Sequence, residues 1–225
     1  MPDTLPDIVV TGQRRRPGGV FPAGPGGGGG GSQDDGGIHQ NQVEDEGTQP
    51  YQPPPHPCGN PESALDWNAD AAAADAKKEF ERRGREEDGD DGYLSRERYA
   101  FILQRDDGSL YLSSVATGGP NWVNPNDVSA EVTPFNVVGM VHNHPGGSQT
   151  PSGDDWTGFD IYYNYVLQNA GLQRANQLRI YIVARDTNST SSALQIKAYN
   201  NQSSRDSDAE GDEVNPEALP CPGPL

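Results

Sequence analysis

Apolar residues are spread unevenly along the 225-residue chain, and their spacing changes several times. Residues 1–60 show almost no apolar periodicity. From Asn60 to Gly84, "NPESALDWNADAAAADAKKEFERRG", apolar side chains recur at helical spacing: Leu65, Ala69, Ala72, Ala73, Ala76 and Phe80. Alanine is the best helix former. Ser63 or Asn60 can cap this helix and Gly84 can end it. "REEDGDDG" follows as a polar turn.

The period then becomes that of strands. "YLSRERYAFILQRDDGSLYLSSVAT" holds a strand at about 95–104, a turn at "RDDG" and a strand at about 109–116, and the Asp-Gly pair makes this a hairpin. "GGPNWVNPNDVSAEVTP" reads as a loop. "FNVVGMVHNH", residues 135–144, is apolar over a strand's length, as a central buried strand should be. Residues 152–171 read as a second helix, with Trp156, Phe159, Tyr163 and Val166 or Leu167 on one face and Gly171 at its end. "QLRIYIVARD" and "ALQIKAYN" are two further strands. The order α–β–β–β–α–β–β predicts an α/β fold of the α+β sandwich kind, a mostly antiparallel sheet flanked by helices.

Composition sharpens the boundaries. Only 32% of the chain is hydrophobic, and its 28 Gly and 20 Pro concentrate towards the ends. We therefore expect a disordered Gly/Pro-rich tail over 1–60, one domain over 61–200 and a disordered acidic, Pro-rich tail over 201–225. Within the first tail, "DIVVTGQRRR" stands out as a short β-prone run with a basic end. A net charge of −17 repels phosphate and anionic lipid, and no Lys/Arg stripe is interleaved with aromatics. Neither nucleic-acid nor membrane binding is expected. No stretch has the apolar length of a membrane span, and "MPDTLPDIVVTGQRRRPGG" lacks the pattern of a secretory signal. The expected location is cytoplasmic, with export by another route left open. Cys58 and Cys221, both in Pro-rich flanks, either bridge the two tails or remain free thiols.

The chemistry gathers in "VHNHPGGSQTPSGDDW", residues 141–156. Side chains two apart on a strand share a side, so His142 and His144 project together and Asn143 faces away. A catalytic zinc site takes three protein ligands and keeps one position for water. Asp155, in the first turn of the next helix, is the natural third ligand, while Asp154 points elsewhere on that helix. Ser152 and Asp155 also form a capping box, which is compatible with ligation. A base is needed for the water proton. Glu97 is the first candidate if its strand lies beside 135–144, and Glu131 is the second.

"HNHPGGSQTPSGDD" has His-x-His-Pro, a seven-residue spacing that counts the Pro, then Ser-x-x-Asp. The chain thereby resembles the JAMM (MPN+/JAB) zinc metalloproteases over about residues 62–200, most closely the bacterial RadC-like branch and JAB-like domains of bacterial toxin-type proteins. The resemblance implies a curved JAB/MPN-like sheet and a Zn2+ cofactor held by His142, His144 and Asp155. It makes Ser152 the residue that steadies the oxyanion, and Glu97 the general base and proton donor. Where the family has small residues after its glutamate, this chain has Arg98 and Tyr99. The implied reaction is hydrolysis of a peptide or isopeptide bond in a protein or peptide partner, as in an effector or toxin domain. The rival is a catalytically inactive JAB-like module that holds a protein partner.

Overall fold

The computed structural model describes residues 10–11, 58, 61–89, 95–185 and 193–221. The Gly/Pro-rich tail expected over 1–60 lies outside these residues except at 10, 11 and 58, and Asn60 as a cap lies outside them too.

A two-residue strand, β1 (Val10–Thr11), precedes the long helix α1 (Pro61–Asp88). The strands β2 (Arg98–Gln104), β3 (Leu110–Leu112), β4 (Ala116–Thr117) and β5 (Trp122–Val123) lead into a 3-10 helix (Pro125–Glu131) and the buried strand β6 (Val137–Asn143). Then come α2 (Gly153–Ala170), the short α3 (Leu172–Asn176), and β7 (Arg179–Arg185), β8 (Leu194–Tyr199) and β9 (Asp212–Val214). The main sheet runs β3-β2-β6-β7-β8-β9, with β4 pairing β2, while β1 pairs β5 separately. Only the β6–β7 pairing is parallel among those described, because α2 and α3 carry the chain across between them.

One helix covers each face of the sheet. Leu65, Ala69, Ala73, Ala76 and Phe80 of α1 pack on Ala100, Ile102, Val141, Tyr181 and Val183. Small alanines let this helix lie close to the strands. On the other face Trp156, Phe159, Tyr162 and Val166 of α2 meet Tyr99, Phe101, Met140, Ile180 and Ile182. With both faces covered, β2, β6 and β7 need no polar alternation, which is why they read as continuous apolar runs. At the centre of the α2 face stands Tyr162, fully buried, rather than the expected Tyr163, which is half-buried and donates from its hydroxyl to Asn176. The i, i+3, i+4 spacing of Phe159, Tyr162 and Val166 follows the stripe more closely.

Two expectations at the chain's margins are corrected. Helix α1 does not stop at Gly84 but continues to Asp88, and Gly89, with φ 91°, ends it. Ion pairs Arg82–Glu86 and Arg83–Glu87 bridge the glycine, and the fully buried Arg98 of β2 holds Asp88 at 2.7 Å and Glu87 at 3.3 Å. These offset the roughly 1 kcal/mol that a helical glycine costs. Second, residues 201–221 are not a disordered tail. β9 extends the sheet, Val214 and Ala218 are buried, and the Trp67 indole donates to the Leu219 carbonyl at 2.7 Å. The acids of this segment face outward, Val214, Ala218 and Cys221 face in, and Leu219 is exposed. Cys221 closes a disulfide with Cys58 across 163 residues of sequence and donates its N–H to the Asn68 side chain at 2.6 Å.

Among the described residues no helix is long and apolar enough to cross a membrane.

Closing so long a loop stabilises the folded chain by up to about 5 kcal/mol on chain-entropy grounds. Replacing Cys58 and Cys221 with Ser should therefore lower the unfolding free energy by about 2–5 kcal/mol in a urea titration. A second test concerns Asp70, whose carboxylate accepts from the Tyr181 hydroxyl at 3.1 Å and whose pKa burial raises to about 6. A carboxyl raised on folding holds its proton more tightly in the folded state. Its contribution is full below the unfolded value near 4 and is lost as pH climbs through about 6. Wild-type stability should fall by about 1–2 kcal/mol between pH 4 and 7 relative to Asp70→Asn, read by parallel melts.

Candidate metal centre

Strand β6 ends where the site begins. Its alternation sends Met140 and His142 to the α2 face and Val141 to the α1 face. Beyond Asn143 the chain turns through His144-Pro145-Gly146-Gly147, with the Gly147 N–H donating to the His144 carbonyl at 3.0 Å. Proline at the second position and glycine at the fourth suit a type I turn. The following loop is tied down, since the Tyr199 hydroxyl donates to the Gln149 carbonyl at 2.9 Å and the Gln149 amide bonds Gln195. Helix α2 then starts on a capping box. The Ser152 N–H donates to Asp155 Oδ2 at 2.6 Å, and the Asp155 N–H donates to Ser152 Oγ at 3.3 Å. That box brings the Asp155 carboxylate back over the end of β6.

His142 Nε2 lies 3.0 Å from Asp155 Oδ1, His144 Nε2 lies 3.2 Å from Asp155 Oδ2, and the two Nε2 atoms are 3.0 Å apart. All three side chains are buried, at 0%, 5% and 1% exposure for His142, His144 and Asp155. Ligands at about 2.05 Å on the corners of a tetrahedron stand about 3.3 Å apart, close to these separations. The group can hold a metal ion. His142 Nε2 and Asp155 Oδ1 face each other at ion-pair distance, while His144 Nε2 is within hydrogen-bond reach of both His142 Nε2 and Asp155 Oδ2. His144 Nδ1 lies 2.8 Å from the Ser148 carbonyl and donates to it, which leaves Nε2 for the cluster in the neutral ring. His142 Nδ1, by contrast, is buried without a partner among the described residues.

The electrostatics follow from burial against charge. Burial pushes the His142 pKa down, more than Asp155 pushes it up. For His144 burial works the same way, but the Asp155 contact, the Asp155 and Glu97 charges and the Ser148 carbonyl outweigh it, and the pKa is raised. Burial alone would raise the Asp155 pKa, yet the two imidazoles hold it well below the usual carboxylate range. A carboxylate that stays ionised beside two imidazoles suits metal binding, in which a cation displaces the shared proton.

Glu97 sits just before β2. Tyr99 pairs with His142 in the antiparallel register, so Glu97, two residues earlier, falls opposite His144 and on the same face. It is 1% exposed, and its charge raises the His144 pKa. The other candidate, Glu131, lies elsewhere: it is exposed at the end of the 3-10 helix, where it accepts from the Tyr111 hydroxyl at 3.4 Å. Asp154 is exposed, as its helical position requires.

Sequence reasoning missed two residues here. Asn143 faces away from the triad, but its side chain joins the ends of β6 and β2. It accepts from the Arg98 N–H at 2.7 Å and donates to the Arg96 carbonyl at 3.1 Å, so it fixes the backbone on both sides of Glu97. No pattern in the sequence marks this role, which depends on the strand pairing. Tyr99 stacks on His142 with centroids 5.8 Å apart and planes 19° apart. With Pro125, Met140, Phe159, Tyr162 and Ile180 it forms a dry wall behind His142 and Asp155.

No protein-family model, no curated protein and no solved structure matches the chain.

Elemental analysis of purified protein should find about one divalent ion per chain in the wild type. His142→Ala should reduce that to less than a tenth, because the remaining imidazole and carboxylate leave too few ligands for a closed set.

Proposed function

We propose that the chain is a zinc-dependent hydrolase of the JAMM type, cleaving a peptide or isopeptide bond in a protein or peptide. One observation carries this reading: a buried His142–His144–Asp155 cluster with a second buried carboxylate, Glu97, across the strand pair on the same face. A metal-binding cluster needs no such carboxylate, whereas hydrolysis needs a proton carrier beside the metal. The spacing of the Ser152 and Asp155 positions fits the same family.

His142, His144 and Asp155 would hold the zinc, which would supply Lewis acidity towards a carbonyl and a water whose pKa falls towards neutrality. The chain's own residues do the rest. Glu97 takes the water proton on its carboxylate and returns it to the leaving amine. Asn143 holds the Glu97 backbone in place through its bonds on either side. Tyr99 and the apolar wall keep bulk water away from the rear of the site, which strengthens each charge interaction there. Ser152 stands at the helix start, half-buried, where its hydroxyl already accepts from the Asp155 N–H. In the proposed reaction it also steadies the oxyanion.

A second reading has one observation in its favour. The triad is nearly closed to solvent, as in a metal-stabilised module that binds a partner without turnover. Location belongs with these proposals as well. Disulfides persist in oxidising compartments, so the Cys58–Cys221 bridge favours export over a life in a reducing cytosol.

Glu97→Gln separates the two functional readings. Assayed by mass spectrometry against a peptide and isopeptide library, it should keep its zinc and lose about 10²–10⁴ in kcat/KM. A wild type that carries zinc and cleaves nothing supports the binding module instead.

A further inference from the structure

The stretch after β4 builds a small ribbon outward from Glu97. The Glu97 N–H donates to the Gly119 carbonyl at 2.7 Å, and the Gly118 N–H returns to the Glu97 carbonyl at 2.8 Å. Gly119 in turn pairs with Trp122, donating to its carbonyl at 2.8 Å. A Cβ at Gly118 would collide with the Trp122 carbonyl, and one at Gly119 with the Trp122 indole, so the tight turn requires both glycines. Because Trp122 spends its carbonyl on Gly119, alternation turns the N–H and C=O of Val123 to the opposite edge. There Val123 has Val10 as its register partner, and Trp122 has Thr11.

This edge belongs to the metal centre's surroundings. Val123 is followed within two residues by Pro125, which lines the crevice behind His142 and Asp155. β1 also packs against α2, the helix whose first turn presents Asp155. The strand β1 is thus paired antiparallel to β5 and close to α2.

We propose that the outer edge of β5 is a strand-acceptor site beside the metal centre, and that β1 of the same chain is its resident occupant. Any other extended peptide must displace it to reach the site. The docking half stands on backbone pairing alone; the regulatory half rests on the hydrolase reading above. Main-chain pairing supplies affinity with little demand on side chains, which suits an extended polypeptide and no folded surface. A covalently joined strand competes at an effective concentration on the order of millimolar, so it holds the edge against weak competitors. Trp122, 49% exposed on the same short strand, is a free aromatic surface for a longer segment.

The test is amide hydrogen exchange on the full chain, comparing wild type with Val10→Pro and Thr11→Pro. Proline at position 10 removes the N–H that faces Val123; at position 11 it removes one that faces away. Exchange at the Val123 amide should rise about tenfold in Val10→Pro and change little in Thr11→Pro. The β6 amides should stay protected in both, showing that the domain is folded. A synthetic peptide of residues 7–14, added at about millimolar concentration, should restore protection to Val10→Pro and leave the wild type unchanged. Equal Val123 exchange in wild type and Val10→Pro would overturn the proposal. So would a Val10→Pro edge that the peptide never protects. In a cleavage assay Val10→Pro should show a several-fold lower KM at unchanged kcat, and an unchanged KM would overturn the regulatory half. If no amide is cleaved while the exchange pattern holds, the hydrolase reading falls and the docking edge stands.

Discussion

The Asp155 carboxylate is 1% exposed and ionised, and a charge removed from water has to be compensated where it lies. The structure arranges that compensation from three directions. The Ser152 N–H donates to one oxygen, the start of α2 offers its positive end, and the His142 and His144 rings stand at about 3 Å. Each of these needs a different part of the fold. The rings need the alternation of β6, the N–H needs the capping box, and the closeness of the two needs α2 packed on that face of the sheet. The group can also hold a cation at its centre, because two imidazoles and a carboxylate are a divalent metal's ligands as well as each other's partners.

The sandwich supplies the rigidity. The buried β6 lies between β2, which leads in from Glu97, and β7, whose Val183 carbonyl accepts the His144 N–H at 3.0 Å. The C-terminal segment contributes at one remove. Tyr199 and Gln195 of β8 hold the loop that follows the histidines, and Thr150 donates to the Ala209 carbonyl at 3.4 Å. The disulfide and the Trp67–Leu219 bond fasten the end of that segment to the start of α1. The site is thus braced by residues from nearly every part of the described chain, although its ligands come from a single fourteen-residue stretch, His142 to Asp155.

That concentration explains why the site could be read in the sequence. His-x-His at the end of an apolar run and Ser-x-x-Asp at a helix start are local patterns, and local geometry alone brings their side chains together. Glu97 required one non-local assumption, that its strand lies beside β6, and the pairing of Tyr99 with His142 agrees with it. What could not be read depends on long-range contact. Asn143 looked idle until β2 lay alongside it. The stop at Gly84 failed because charge pairs across the glycine and to Arg98 lie outside any helix-propensity argument. The acidic C-terminal stretch hid three inward apolar side chains, Val214, Ala218 and Cys221, among residues that average out as disordered. The Cys58–Cys221 bridge joins positions whose proximity only the fold determines.

The most direct measurement is zinc-edge X-ray absorption on the metal-loaded full chain. The geometry of His142, His144 and Asp155 requires two imidazole nitrogens and light oxygen donors, all at about 2.0–2.2 Å. A spectrum fitted by that set, and losing one imidazole shell in His144→Ala, would agree with the site as described. Zinc bound through sulfur, or by a ligand set that His144→Ala leaves unaltered, would contradict it. The buried carboxylate would then be balanced by imidazole protons, the Ser152 N–H and the start of α2, without a metal.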